Sequence, residues 1–254
     1  MRHPHVGVGL RPCWSEDGSR QIVLYDPQMN PALPKAFVSW SSGKDSAFAL
    51  WEARRLGLAE IVGVITTVNE VYDRVAMHGV RDSLLNRQIA ALGLPCIKVP
   101  IPSPCTNEIY EARMAEAVEQ IKALGVCHMV FGDLFLENLR AYREEKLAGA
   151  GMQAIFPLWG RNTSSLAQEM LASGVVAHLV CIDPQKLDKS FAGRRFDQTL
   201  LEDLPPDIDP CGENGEFHTV VSAGPMFNAP IAINVAEIVE REGFVFADIL
   251  AVGE

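Results

Sequence analysis

Apolar residues recur along this chain in short blocks separated by stretches of helical spacing, beginning at residue 36. Ala36-Phe37-Val38-Ser39-Trp40 is a run of strand length, and residues 45–56 follow with Phe48, Ala49, Trp51 and Leu56 on one broad helical face. Gly57 stands where a helix C-cap is expected. Residues 61–68 form a second, β-branched run. Residues 81–92 repeat Leu84, Leu85, Ile89 and Leu92 before Gly93, and residues 95–99 give a third short strand. Residues 106–124 read as a long helix with Thr106 or Asn107 as N-cap and Ile109, Val118, Ile121 and Leu124 facing inward. A fourth strand at 128–131 ends in Gly132-Asp133. Helix 137–148, strand 154–156, helix 164–172 and strand 175–182 complete the series.

Strands alternating with helices predict an α/β fold, a parallel sheet with helices on both faces and right-handed crossovers. After Asp183 the texture changes. Residues 188–210 are mixed and polar, followed by short β-like runs at 217–221, 231–235 and 244–249. The predicted organisation is an N-terminal extension over 1–34, a nucleotide-binding domain over 35–157 and a smaller C-terminal α+β subdomain over 158–254. The extension carries Pro4, Pro12, Pro27, Pro31 and Pro34 and one β-like piece at 21–25, so it is expected to drape over the body or stay loose.

Charge narrows the partners. A formal net charge of -10 disfavours nucleic acid and anionic membrane surfaces. Six cysteines without a C-x-x-C pair read as reduced thiols of a cytoplasmic protein. No apolar run approaches the roughly 20 residues that span a bilayer, and the first residues lack the apolar block of a signal peptide.

Two segments carry chemistry. The first strand ends in Ser41-Ser42-Gly43-Lys44-Asp45-Ser46, and a helix follows at once. Ligands of open α/β sheets bind at such strand ends, where a helix N-terminus offers N–H groups to phosphate. The Walker A and G-x-G-x-x-G patterns are both absent. A serine-rich cap on a structural helix is the alternative reading. The second segment is Asp209-Pro210-Cys211-Gly212-Glu213-Asn214-Gly215-Glu216-Phe217-His218-Thr219. If residues 216–219 open a strand, Glu216 and His218 face one side, able to hold a cation or move a proton. A glycine turn before an edge strand is the plainer alternative.

The first segment resembles the S-G-G-x-D-S turn of PP-loop (N-type) ATP pyrophosphatases, with Ser42 in place of the second glycine. Glu213 to Thr219 matches the E-[GN]-G-E-[FY]-[EH]-T signature of the diphthine–ammonia ligase-related branch of that family. Gly132-Asp133, Met77-His78-Gly79-Val80-Arg81, Tyr142-Arg143-Glu144-Glu145 and Pro157-Leu158-Trp159 fall in the order expected there. The resemblance runs from Ala36 onward. His218-Thr219 together with Ser41-Ser42-Gly43 resembles the bacterial relatives, in which diphthamide is not expected, so the reaction type carries over better than the substrate.

The resemblance implies a HUP-like (adenine nucleotide alpha hydrolase) sheet and an ATP-dependent ligase. It would adenylate a small-molecule or protein carboxylate, release pyrophosphate and transfer ammonia. Ser41, Ser42, Gly43, Lys44, Asp45 and Ser46 would hold phosphates, Thr66 and Thr67 the adenine, and Gly132 and Asp133 would border the nucleotide. Mg²⁺ would sit near Asp45 or Asp133. Lys44, Asp45, Glu216 and His218 are the candidate catalytic residues. His78, Arg81, Glu213, Asn214, Glu216 and His218 would serve the acceptor and ammonia. A homodimer is the general prior. Two competing readings are an adenylating RNA thiolation enzyme, disfavoured by the acidic charge and the missing C-x-x-C, and a non-enzymatic ATP or AMP sensor. Tyr142 and Arg143 are expected at the nucleotide's border. Trp40 either stacks on adenine or packs the sheet, Cys211 is a candidate thiol, and His128 and His178 read as core histidines.

Overall fold

The computed structural model describes residues 9–14, 20–25, 33–75 and 78–253, the first two stretches by their backbone. Met77, His3 and His5 and the remainder of the extension lie outside the described residues. Within the extension, β1 (Gly9–Trp14) pairs antiparallel with β2 (Arg20–Tyr25), Gly9 opposite Tyr25. The sequence pattern showed only the second of these strands, because Gly9 and Pro12 break the β signature of the first.

From Lys35 the elements run β3 (Lys35–Ser39), α1 (Lys44–Arg55), β4 (Glu60–Asn69), β5 (Arg74–Val75), α2 (Asp82–Leu92), β6 (Cys96–Ile101), α3 (Asn107–Ala123), β7 (His128–Val130), α4 (Glu137–Gly149) and β8 (Gln153–Ile155). Their parallel pairings give the order β6-β4-β3-β7-β8, with β5 antiparallel at the far end of β4. The first strand of the series is central, so the chain builds outward one way and then the other. The carboxyl end of β3 is therefore the topological switch point where such sheets bind ligands.

Alternation along β3 splits the core. Ala36 and Val38 join a layer with Trp40, Phe48, Leu50 and Leu84, while Phe37 joins Ile65, Ile121, Met129 and Phe131 on the other face. Helices thus cover both faces, the expected HUP-like α/β arrangement. Thr106 caps α3, its side chain accepting from Ile109 N. Ile109 and Leu124, expected inward, are 39% and 58% exposed. This helix buries only Ala117 and Ile121; Ile109 sits in its first turn and Leu124 beyond its last.

The second sheet is antiparallel. After α5 (Thr163–Ala172), β9 (Val176–Ile182) leaves the parallel pattern and pairs with β10 (Arg195–Phe196), with β11 (Phe217–Ala223) and with β13 (Phe244–Ala251). The edge hairpin partner is β12 (Ile233–Arg241), and α6 (Gln198–Asp203) lies between β10 and β11. Strand β11 runs beside the N-terminus of α1 and joins the two sheets through one apolar core.

Candidate functional site

The Ser41–Ser46 turn is tied to itself. Ser46 Oγ lies 3.0 Å from Ser41 Oγ, accepts from Ser41 N at 3.2 Å and donates to the Gly43 carbonyl at 3.1 Å. Gly43 is the N-cap of α1 and offers no side-chain cap, leaving that helix end to other partners. A Cβ on Gly43 would stand 2.9 Å from His78 Cε1 and 3.1 Å from the Thr219 carbonyl, so any larger residue would press the imidazole and β11 away from the turn. Ser42 adopts φ 70, the left-handed region where the resembling turn has glycine. Its carbonyl accepts from Val221 N at 2.9 Å and from Gln88 Nε2 at 3.1 Å, and these bonds hold the conformation.

The Cys211–Thr219 segment closes on that turn. Thr219 Oγ1 accepts from Lys44 N at 3.1 Å. The buried Lys44 ammonium contacts Asp45 at 2.9 Å, donates to the Cys211 carbonyl and lies over the rings of Phe196 and Phe217. Burial opposes both charges of the Lys44–Asp45 pair. It raises the Asp45 carboxyl against the pull of Lys44, whereas at Lys44 the attraction of Asp45 prevails over burial and raises the amine.

His78 and His218 stack with ring centroids 4.6 Å apart at 36°. His78 Nδ1 lies 3.1 Å from the Thr219 carbonyl, which can only accept, so Nδ1 carries the proton and Nε2 is the free lone pair. Burial, with His218 beside it, lowers His78 to about 3. Burial, with Lys44 and Lys186 nearby, lowers His218 to about 4. Both imidazoles are neutral at physiological pH. Each ring keeps an edge at a cavity wall, so the depression comes from packing around the ring rather than from complete enclosure.

Glu213 accepts from Leu134 N at 2.7 Å. Burial raises its carboxyl to about 7, with Asp45 and Asp133 adding to the rise. Glu216 does not share a strand face with His218, since β11 begins at Phe217. Its Oε1 accepts from Asp209 N and Asn214 Nδ2, both at 3.1 Å, and its Oε2 is buried without a hydrogen bond. Glu216 and Asn214 thereby shape the loop. Arg81, just before α2, forms a two-pronged pair with Asp248 of β13, which Arg74 also binds at 3.0 Å. Those bonds, Arg81 first, hold Asp248 below its usual value.

A cavity of about 370 Å³ opens at the carboxyl ends of β3, β4 and β7 under α3 and α4. Its walls include Ser41, Thr66, Thr67, His78, Tyr142 and Arg143. Thr66 Oγ1 in this wall, and Ser42 Oγ in the turn below, are buried with no hydrogen-bond partner. Such orphaned hydroxyls fit a polar ligand. Of the residues expected to hold nucleotide, metal or acceptor, only Ser41, Thr66, Thr67 and His78 line this cavity; Ser42, Gly43, Lys44, Asp45, Ser46, Arg81, Gly132, Asp133, Glu213, Asn214, Glu216 and His218 do not. Gly132 instead lets its loop press on the turn, since a Cβ there would come 2.7 Å from the Asp45 carbonyl carbon. Asp133 pairs with Arg143 at 2.9 Å, and the guanidinium lies over Phe131.

Trp40 resolves as packing. It is buried, donates Nε1–H to Gln88 Oε1 at 3.1 Å and meets Phe227 edge-on. Burial pushes the Cys211 thiol up to about 12, which keeps it in the protonated form at neutral pH. His128 bonds Gln153 on the neighbouring strand. Gln88 and Asp248 are not singled out by the sequence pattern, and Thr219 stands only within the second segment's motif, without a role. Gln88 had a signal, a lone amide on the apolar face of Leu84, Leu85 and Leu92. Among the described residues Cys96, Cys105, Cys127, Cys181 and Cys211 are free, no cluster of three or more His, Cys, Asp or Glu could hold a metal, and no helix is long and apolar enough to cross a membrane.

Fold and site define an α/β protein with a cavity of about 370 Å³ at its switch point, beside a serine–glycine turn that the second sheet buttresses. The chain belongs to the diphthamide synthase family, and with it to the ATP-dependent carbon–nitrogen ligases. The family's N-terminal domain matches residues 34–154 and its C-terminal domain residues 162–250. It is 23% identical to the diphthine–ammonia ligase of Bos taurus over 82% of this chain and 86% of that protein. The diphthine–ammonia ligase of Danio rerio is 25% identical over 82% of this chain and 90% of its own length. That of Schizosaccharomyces pombe is 24% identical, and there the match spans only 36% of the longer relative.

Proposed function

We propose that the protein converts a carboxylate to its amide with ATP and ammonia, as the diphthine–ammonia ligases it resembles are named to do, on a carboxylate of its own. ATP lies in the cavity below α3 and α4, its adenine toward Thr66 and Thr67 and its phosphates toward Ser41–Ser46, which then acts as a PP-loop. The observation that carries this reading is the buried, unpartnered hydroxyl of Thr66 in the wall of a switch-point cavity that Ser41 of the turn also lines.

The acceptor carboxylate oxygen attacks the α-phosphorus. The bond to the bridging oxygen breaks, and pyrophosphate leaves. Ammonia then attacks the acyl carbon, AMP departs, and one proton is released with the amide. His78 Nε2, a neutral lone pair on the cavity wall, is placed to orient the incoming ammonia. Glu213, ionising near neutrality but outside the cavity lining, would take the proton by relay rather than by direct contact. The buried Lys44 and Thr219 hold the turn in shape from beneath.

Mg²⁺ would arrive with the nucleotide and shield the phosphate oxygens. Asp45 and Asp133 are each already paired with a cation, and either would give up that partner to become a ligand. Free thiols and the acidic charge fit a cytoplasmic enzyme acting away from nucleic acid. Incubation with ATP, ammonium and a panel of carboxylic acids, read by phosphorus NMR, tests the reading. AMP and pyrophosphate are expected; ADP and phosphate would overturn it.

A further inference from the structure

A second cavity, of about 420 Å³, lies between β5 and the β12–β13 hairpin. Neither the family match nor the nucleotide reading accounts for it. Tyr72, Val239, Phe244 and Phe246 form its apolar walls, and His218 stands at its inner end. His78 stands in the wall of the nucleotide cavity, and the two rings stack at 4.6 Å. Val75 lines both spaces. The stacked imidazoles and Val75 are thus shared between the borders of the two cavities.

We propose that this second cavity is the acceptor site, and that it takes a small monocarboxylic acid with an aromatic or otherwise apolar body. The assignment rests on the ligase reading above. A molecule lying on Phe244 and Phe246 with its carboxylate at His218 places that group beside the imidazole pair that borders the nucleotide cavity. The volume is in the range of small-molecule sites. Tyr72 and Phe244, 54% and 37% exposed, give the mouth an apolar rim of the kind that marks a binding site.

Charge sets the class. The cavity holds two guanidiniums, Arg74 and Arg241, against three carboxylates, Glu237, Glu242 and Asp248. Arg74 is already bound to Asp248 and to the Gly79 carbonyl at 2.7 Å. Arg81, reaching Asp248 from outside the lining, balances the third carboxylate, so a dicarboxylate or a phosphorylated acid would bring a second anion to a site with no excess of positive charge. The Cys181 thiol in the wall is raised to about 12 by burial, so it offers no covalent relay and the acid reacts directly.

Calorimetry and ATP–pyrophosphate exchange test the assignment, with 3-phenylpropionate, indole-3-acetate, succinate and citrate as probes. The expected result is binding and exchange with the first two and neither with the last two. Val239→Trp, filling the cavity from β12, should raise the KM for the active acid by at least about tenfold while leaving the Kd for ATP unchanged. Tyr72→Ala, at an exposed position, gives an independent check that does not depend on a tolerated insertion, and should raise the same KM with ATP affinity intact. Exchange that succeeds with succinate or citrate, or that ignores both variants, overturns the acceptor site and leaves the ligase standing. Loss of ATP affinity in both variants overturns the separation of the two cavities. AMP without pyrophosphate, or ADP, from every probe sinks the ligase reading and the acceptor site with it.

Discussion

Gln88 Nε2 donates to the carbonyl of Ser42 at 3.1 Å across 46 residues of chain, and the same amide nitrogen reaches the Val221 carbonyl at 2.7 Å. Its Oε1 takes the indole N–H of Trp40. One fully buried side chain therefore fastens the first strand, the phosphate-side turn and the second sheet. Gln88→Leu would strand the Trp40 N–H and the Val221 carbonyl in an apolar core. The expected loss is at least about 2 kcal/mol, because each unpaired buried group costs about 1–3 kcal/mol. Urea unfolding measures it, and a variant as stable as the parent would remove Gln88 from this role.

Ser42 sits at φ 70, which costs a non-glycine residue about 1 kcal/mol. Ser42→Gly is expected to gain a similar amount of stability in a urea titration. It also deletes an orphaned hydroxyl, so ATP should bind more weakly in calorimetry even as the protein becomes more stable. Unchanged affinity would show that the hydroxyl does not reach the phosphates.

Thr66→Val removes the other unpartnered hydroxyl with little change of shape. Stability should hold or rise, since a buried group without a partner is lost. The Kd for ATP should rise by about tenfold, the equivalent of ~1.4 kcal/mol. A fall in thermal midpoint with ATP affinity intact would make Thr66 a structural residue.

The stacked imidazoles predict acid sensitivity. Both folded values, about 3 for His78 and about 4 for His218, lie below the ordinary 6.5. The unfolded chain therefore binds more protons in that window. Their contribution to stability is full above pH 6.5 and is lost as the pH falls toward 4 and then 3. His218→Asn should flatten the slope of the urea midpoint between pH 6.5 and 4. A slope equal to the parent's would assign the acid loss to other groups.

Glu213 has the opposite sign. A carboxyl raised from 4.5 to about 7 favours the folded state below pH 4.5, and that advantage is lost as the pH climbs through 7. Glu213→Gln, which keeps an acceptor for Leu134 N, should be more stable than the parent at pH 8 and equal to it near pH 4. The rise of ligase activity through pH 7 should vanish with it. A variant whose pH–rate profile retains that rise would take the proton-accepting role away from Glu213.

Local chemistry made much of this protein legible from the sequence. Alternating runs and helical periods gave the strands and helices from Lys35 to Ile182 except the two-residue β5, Gly93 and Thr106 marked helix ends, and a serine–glycine turn after the first strand marked the switch point. These features depend on neighbours within a few residues, so a sequence records them directly. What the tertiary structure alone decided are contacts between distant segments. They include the stacking of His78 on His218, the burial of Lys44 against Asp45 and the Cys211 carbonyl, and the use of Glu216 to shape its own loop. They also include the departure of β9 from the parallel series into a second sheet. No spacing encodes such meetings, because each depends on how two separately formed surfaces pack and on which polar groups that packing leaves to be satisfied.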